Sequence, residues 1–141
     1  MSECDTRLHG SWRLVSFHTE LQDSKERIQP WGADPNGHLV FDAGGRMMVL
    51  VTATAREPGP SDAQQVALFR TMMAYTGPYR IDGNRFIATI DACWNEAWNG
   101  TEQERFFELD GDTLEVSTAW MPNPLVPGNP VGRGVLRFRR E

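Results

Sequence analysis

Short runs in which apolar and polar residues alternate recur along most of the chain, with turn residues between them. Such alternation is typical of strands with one face against a core. In residues 12–19, for example, Trp12 and Leu14 fall on one face and Arg13 on the other. We predict eight strands, at residues 12–19, 38–41, 46–52, 77–81, 85–90, 104–109, 114–118 and 134–140. So many short strands at regular spacing predict a barrel or a sandwich.

Glycine-containing turns join three pairs of these strands. The turns span residues 42–45, 82–84 and 110–112, and each combines Asp or Asn with Gly. This composition is typical of tight β-hairpin turns. The pairs 38–41 with 46–52, 77–81 with 85–90 and 104–109 with 114–118 are therefore predicted to be antiparallel hairpins.

Residues 62–74 depart from the alternation. Ser61 is followed three residues later by Gln64, which is close to a capping box, and Val66, Phe69 and Met73 then recur at helical spacing. We predict a helix over 62–74 that ends before Gly77. A helix inside an all-β chain suggests a lid or plug on the barrel, but we interpret its Met and Phe stripe as core packing.

The segment 121–132 is rich in Pro and Gly, which excludes it from the centre of a sheet. It is longer than an ordinary hairpin connection, and long loops in compact domains are often functional. We expect it to border the mouth of the barrel.

Composition favours one soluble globular domain spanning residues 1–141. The net charge of −5 argues against nucleic acid or an anionic membrane surface as a partner. No secretory signal pattern opens the chain, and no apolar run reaches the ~20 residues of a spanning helix. Cys4 and Cys93 are interpreted as free thiols in a reducing compartment, with one disulfide as the alternative. We therefore predict a cytoplasmic protein.

Several segments together resemble the bacterial lipocalin-like domain family. They include the Gly10-Ser11-Trp12 motif within residues 8–16, and residues 30–47, 74–83, 98–101, 105–109 and 112–114, in that order and spacing. The resemblance implies an up-and-down antiparallel β-barrel with an internal cavity, and it suggests a role in secondary metabolism. It brings no shared reaction and no shared catalytic set.

Standard signatures of catalysis are absent from the sequence. There is no Gly-x-Ser-x-Gly elbow, no His-Glu-x-x-His helix, no phosphate-cradling loop and no dinucleotide fingerprint. His9, His18 and His38 are too dispersed to predict a metal site. We therefore predict neither a metal nor a cofactor.

Arg105 is the charged residue with the most informative position. If Phe107 points into the barrel, the two-residue period places Arg105 inside as well. A buried arginine needs an anionic partner, which Asp91 or Glu102 would supply. Since the family resemblance includes an Arg–Trp pair that closes the barrel end, we favour Arg105 packing on Trp12. A contact with a ligand carboxylate or an acid–base role is the alternative.

Aromatic residues are abundant, with five tryptophans in the chain. Large rings with a polar handle suit a pocket for a flat ligand, and they suit a small core equally well. The residues that we predict to bind a ligand are Tyr79, Arg105, Trp120, Tyr75, Phe107 and Met47. Trp94 and Trp98 are also candidates for an exposed patch that would permit a homodimer.

Two functions of different classes follow. The first is binding of a small hydrophobic or aromatic molecule in the barrel cavity. The alternative is a cofactor-free isomerase, cyclase, dehydratase or lyase of secondary metabolism, with Asp91, Arg105, Glu102 and His38 as catalytic candidates. A carboxylate that faces the cavity without an arginine would favour the enzyme, whereas pairing of that carboxylate with Arg105 would favour a structural role.

Overall fold

A computed structural model describes residues 6–123 and 127–141, and these residues form eleven strands, one α-helix and one 3₁₀ turn. The strands are β1 (Gly10–Leu21), β2 (Arg27–Ile28), β3 (Asn36–Phe41), β4 (Arg46–Thr52), β5 (Met72–Asp82), β6 (Arg85–Thr89), β7 (Ala92–Cys93), β8 (Glu102–Asp110), β9 (Thr113–Ser117), β10 (Met121–Pro122) and β11 (Val131–Arg140). The helix α1 spans Asp62–Arg70, and the 3₁₀ turn spans Glu96–Trp98.

Eight of the strands close into one antiparallel barrel. In order around the wall they are β1, β3, β4, β5, β6, β8, β9 and β11, and β11 pairs back onto β1 from Trp12–Arg140 to Leu21–Gly132. Closure removes the unpaired edges that an open sheet would expose. The predicted all-β, up-and-down barrel of about eight strands with one helix is therefore confirmed.

The two ends of the barrel differ in their connections. At one end, which we call the closed end, the tight turns at 42–45, 83–84 and 111–112 join neighbouring strands. Gly45, Gly83 and Gly111 take positive φ there, which favours glycine. At the other end, the open end, the longer connections carry β2, α1, β7 with the 3₁₀ turn, and β10. The longer connections at the open end can therefore contribute side chains to a binding site.

Trp12 fills the closed end and is fully buried. Its indole Nε1 donates to the carbonyl oxygen of Leu8 at 2.9 Å, and the Arg140 guanidinium lies 4.1 Å from the ring centroid. The prediction that Arg105 packs on Trp12 is therefore wrong. The partner is Arg140 because β1 pairs with the last strand, which places Trp12 opposite Arg140.

The helix α1 begins as predicted but ends four residues earlier than predicted, at Arg70 rather than position 74. Ser61 and Gln64 form the capping box, with both hydrogen bonds at 3.1 Å. No residue of α1 is buried, and Val66 and Phe69 remain 46% and 48% exposed. The interpretation of this stripe as core is wrong for Val66 and Phe69, whereas Met73 packs against the core from β5, which is extended from Met72 onward. Among the described residues, no helix is long and apolar enough to cross a membrane.

Candidate functional site

A cavity of about 170 Å³ lies inside the open half of the barrel. Strand alternation builds its wall: on β4, Met47 and Val49 face the interior, whereas Met48 and Leu50 are exposed on the outside. The apolar lining residues are Phe17, Leu39, Met47, Val49, Met73, Tyr75, Phe86, Trp98, Val116, Met121, Pro122, Leu136 and Phe138. The polar ones are Thr19, Arg105, Thr118 and Asn123, with Gly132 and Gly134 completing the wall. The cavity is therefore apolar with a few polar groups, which is typical of a small-molecule site.

The mouth of this cavity lies beside β10. Met121 and Pro122 line the cavity and are also exposed, so the cavity meets solvent there. The pairing of Met121 with Gly132 holds β10 against the first residues of β11. The described part of the segment 121–132 thus borders the mouth; residues 124–126 lie outside the described residues.

Trp98 contributes a cavity wall from outside the barrel strands. The 3₁₀ turn that carries it is capped by Asn95, whose Oδ1 accepts from the Ala97 N–H at 3.1 Å. The ring of Trp98 packs on Tyr75 at 5.4 Å and on Trp94 at 5.1 Å between centroids. Trp94 and Trp98 are half-buried in this stack, so they do not form the predicted exposed patch. A homodimer remains a prediction.

Arg105 lies on β8 beside the packed rings of Tyr75 and Trp98, with its guanidinium carbon 5.9 Å from each centroid. It is only 9% exposed and lines the cavity. Its Nη1 donates to the carbonyl oxygen of Glu104 at 2.8 Å, and its Nη2 donates weakly to Gln103 Oε1 at 3.4 Å. The anionic partners predicted for it, Asp91 and Glu102, bind other arginines.

The remaining catalytic candidates lie on the outer surface, where Asp91 and Glu102 form ion pairs and His38 forms a hydrogen bond. Asp91 forms a bidentate pair with Arg46, with both distances 2.8 Å. Glu102 pairs with Arg80 at 2.9 Å, and His38 Nδ1 lies 2.9 Å from Glu141. Among the described residues, no Asp or Glu lines the cavity. The structure therefore does not bring Asp91, Glu102 and His38 together with Arg105.

The Arg46–Asp91 pair predicts a pH dependence of stability. The two hydrogen bonds from Arg46 hold the pKa of the Asp91 carboxyl below its ordinary value. Because the folded-state pKa is lowered, the pair stabilises the fold above the ordinary carboxyl pKa of about 4 and loses this contribution as the pH falls through the lowered value. We expect a small difference in unfolding midpoint between the wild type and Asp91→Asn at pH 7, and no difference in strong acid. Chemical unfolding across pH checks this, with the exposed Asp110→Asn as control; a difference that persists in strong acid would contradict it.

The predicted ligand-binding residues divide into two groups. Met47, Tyr75 and Arg105 line the cavity. Tyr79 instead packs on Phe41 at 5.0 Å, and Phe107 packs in the core on Phe86, with 6.4 Å between ring centroids. Trp120 is exposed, with the Arg133 guanidinium 4.8 Å from its ring.

Most of the lining residues were not among those predicted from the sequence, and Phe17 and Phe138 are two examples. Phe17 enters the cavity because a β-bulge between Leu14 and Ser16 shifts the alternation of β1, and Val15 is left 51% exposed. Phe138 lines the cavity from the last strand. The excess of apolar residues on both faces of residues 12–19 was the one available signal for the bulge.

No metal site is apparent in residues 6–123 and 127–141, which contain no group of three or more His, Cys, Asp or Glu able to hold an ion. The half-buried thiol of Cys93 is free and donates to the carbonyl oxygen of Asn95 at 2.7 Å. Cys4 lies outside the described residues.

Comparison with known proteins gives a family assignment. A family model described as a lipocalin-like domain matches residues 9–141, which is nearly the whole chain. None of the curated proteins compared matches the chain.

Proposed function

The chain belongs to the lipocalin-like domain family, and we propose that it binds one small apolar or aromatic molecule in the barrel cavity. Barrels of this fold generally bind small hydrophobic ligands. The observation that carries the proposal for this chain is the apolar cavity at the open end, with its mouth beside β10. A cytoplasmic role in secondary metabolism stays part of the proposal, on the sequence and the resemblance alone.

The size of the cavity limits the ligand. An apolar cavity of roughly 150 Å³ stays dry and accepts benzene. The cavity of about 170 Å³ therefore suits a single ring with a small substituent rather than a fused ring system. The rings of Phe17, Phe86 and Phe138 supply apolar surface against which such a ring can pack.

Binding is favoured over acid–base catalysis because the described residues that line the cavity include no Asp, Glu or His. A general base must lie within hydrogen-bond reach of the proton that it removes. Asp91, Glu102 and His38 are outside the barrel, so none of them meets this condition. The polar groups that do line the cavity are suited to orienting a ligand.

Methionine methyl groups offer a direct test of where a ligand binds. Met47 and Met73 line the cavity, whereas Met48 is exposed on the outer face of the same strand as Met47. In a protein labelled with ¹³C at the methionine methyls, we expect toluene, benzamide or benzoate to shift the Met47 and Met73 resonances and leave Met48 unchanged. No shift with any of the three probes would overturn the proposal.

A matched pair of substitutions on β4 separates cavity binding from surface binding. Val49→Phe adds a ring on the cavity side and should abolish the Met47 and Met73 shifts. Leu50→Phe adds the same kind of volume to the exposed face and should leave them intact. Gly134→Val fills the cavity from β11 and replaces Val49→Phe if that variant does not fold. Unchanged shifts in a folded, filled variant would contradict the proposal.

A further inference from the structure

We infer that the ligand carries a carboxylate and that Arg105 binds it, so that the preferred ligand is a one-ring carboxylic acid in its anionic form. This inference rests on the proposed function and names the ligand class for the same cavity. It starts from the electrostatic state of Arg105, the one charged residue among the described residues that line the cavity.

Arg105 is a buried charge without a counterion in the described part of the protein. No carboxylate there lies within 4.0 Å of its guanidinium, even though Arg105 is only 9% exposed. The two acidic neighbours on β8, Glu102 and Glu104, face outward and pair with Arg80 and Arg85 at 2.9 Å each. A buried charge is costly unless a counterion compensates it. An anionic ligand in the cavity provides that compensation.

The hydrogen-bond donors of Arg105 point to a carboxylate. A guanidinium has five N–H donors, and those of Arg105 make one strong bond, to the Glu104 carbonyl, and one weak bond, to Gln103. Its Nε makes no hydrogen bond with a described residue, and its Nη2 makes only the 3.4 Å contact. These two adjacent nitrogens form the edge of the guanidinium that matches the two oxygens of a carboxylate.

The surroundings of Arg105 strengthen this selectivity. The stacked rings of Tyr75 and Trp98 lie against the guanidinium of Arg105, which is only 9% exposed, and the rest of the cavity lining is mostly apolar. A charge-assisted hydrogen bond is stronger in such an environment than in water. A ligand with a ring at one end and a carboxylate at the other satisfies both parts of the cavity, and its dimensions agree with a cavity of about 170 Å³.

Benzoate and benzamide test the inference because they have nearly the same shape and differ in charge. We expect the wild-type protein to bind benzoate about 10- to 100-fold more tightly than benzamide, as measured by titration of the Met47 and Met73 methyl shifts. Arg105→Gln should remove this preference while benzamide still binds. Arg80→Gln, which changes the same charge on the outer surface, should retain the preference.

The outcomes separate this inference from the proposed function. Equal binding of benzoate and benzamide to the wild type would overturn the carboxylate inference and leave cavity binding standing. A preference for benzoate that persists in Arg105→Gln would overturn the assignment to Arg105. If Arg105→Gln does not fold, Arg105→Lys retains the charge but not the bidentate edge, and the preference should fall at least about tenfold. Binding of toluene but of neither benzoate nor benzamide would overturn this inference alone, and binding of none of the three probes would overturn the proposed function as well.

Discussion

Trp12→Ala should lower the free energy of unfolding by about 3–5 kcal/mol, the range for truncating a large buried aromatic residue. The Trp12 side chain is fully buried at the closed end of the barrel. Its removal leaves a cavity, and the Leu8 carbonyl loses the indole donor that lies 2.9 Å from it. Arg140 loses the ring beneath its guanidinium. The effect is large because all three losses occur where β1 and β11 close the barrel.

Urea unfolding of the wild type and the variant measures this loss. Trp120→Ala is the matched control, since it makes the same chemical change at an exposed tryptophan that also packs under an arginine, Arg133. We expect the control to lose less than about 1 kcal/mol. Equal losses in the two variants would contradict the role assigned to Trp12 in closing the barrel.

Strand positions could be predicted from the sequence because a period of two and glycine-rich turns are local signals. All eight predicted strands overlap barrel strands, and the turns at Gly83 and Gly111 lie where the Asp-Gly pairs indicated. The start of α1 was predictable for the same reason, because the Ser61 capping box depends on four consecutive residues. Its end was not, because the alternation of β5, set by neighbouring strands, overrides helical spacing from Met72 onward.

The partners of Arg105 and Trp12 were not predictable, because they depend on which strands meet. A family resemblance that pairs an arginine with a tryptophan does not identify which arginine is meant. Arg140 takes that place through the closing register of β1 and β11. Arg105 is consequently left facing the cavity, and Trp98 is brought against it by a 3₁₀ turn that lies outside all the predicted strands. The residues of the candidate site are therefore determined by long-range pairing and not by any local motif.

Gly77→Ala should destabilise the barrel by about 3 kcal/mol or more, at or above the upper end of the usual cost of overpacking. A β-carbon at Gly77 would lie 1.8 Å from the Thr89 carbonyl oxygen and 3.1 Å from the Ile90 α-carbon. These atoms belong to the backbone, so no rotation of a side chain relieves the clash. The strand β5 would have to move away from the end of β6, close to the point where the Asp91 N–H donates to the Thr76 carbonyl at 3.0 Å.

Gly134→Ala is the control that isolates this steric cause. Like Gly77, Gly134 lies within a barrel strand and does not have a left-handed φ. Its added β-carbon would meet Phe17 at 3.5 Å, an ordinary contact. The same substitution there should change the free energy of unfolding by less than about 1 kcal/mol. A small increase is expected, because alanine reduces the conformational entropy of the unfolded chain. If both variants unfold at the wild-type urea concentration, the barrel tolerates a β-carbon at position 77 and the steric argument is contradicted. If only Gly77→Ala is destabilised, the barrel requires glycine at the junction of β5 and β6, next to the strand that carries Arg105.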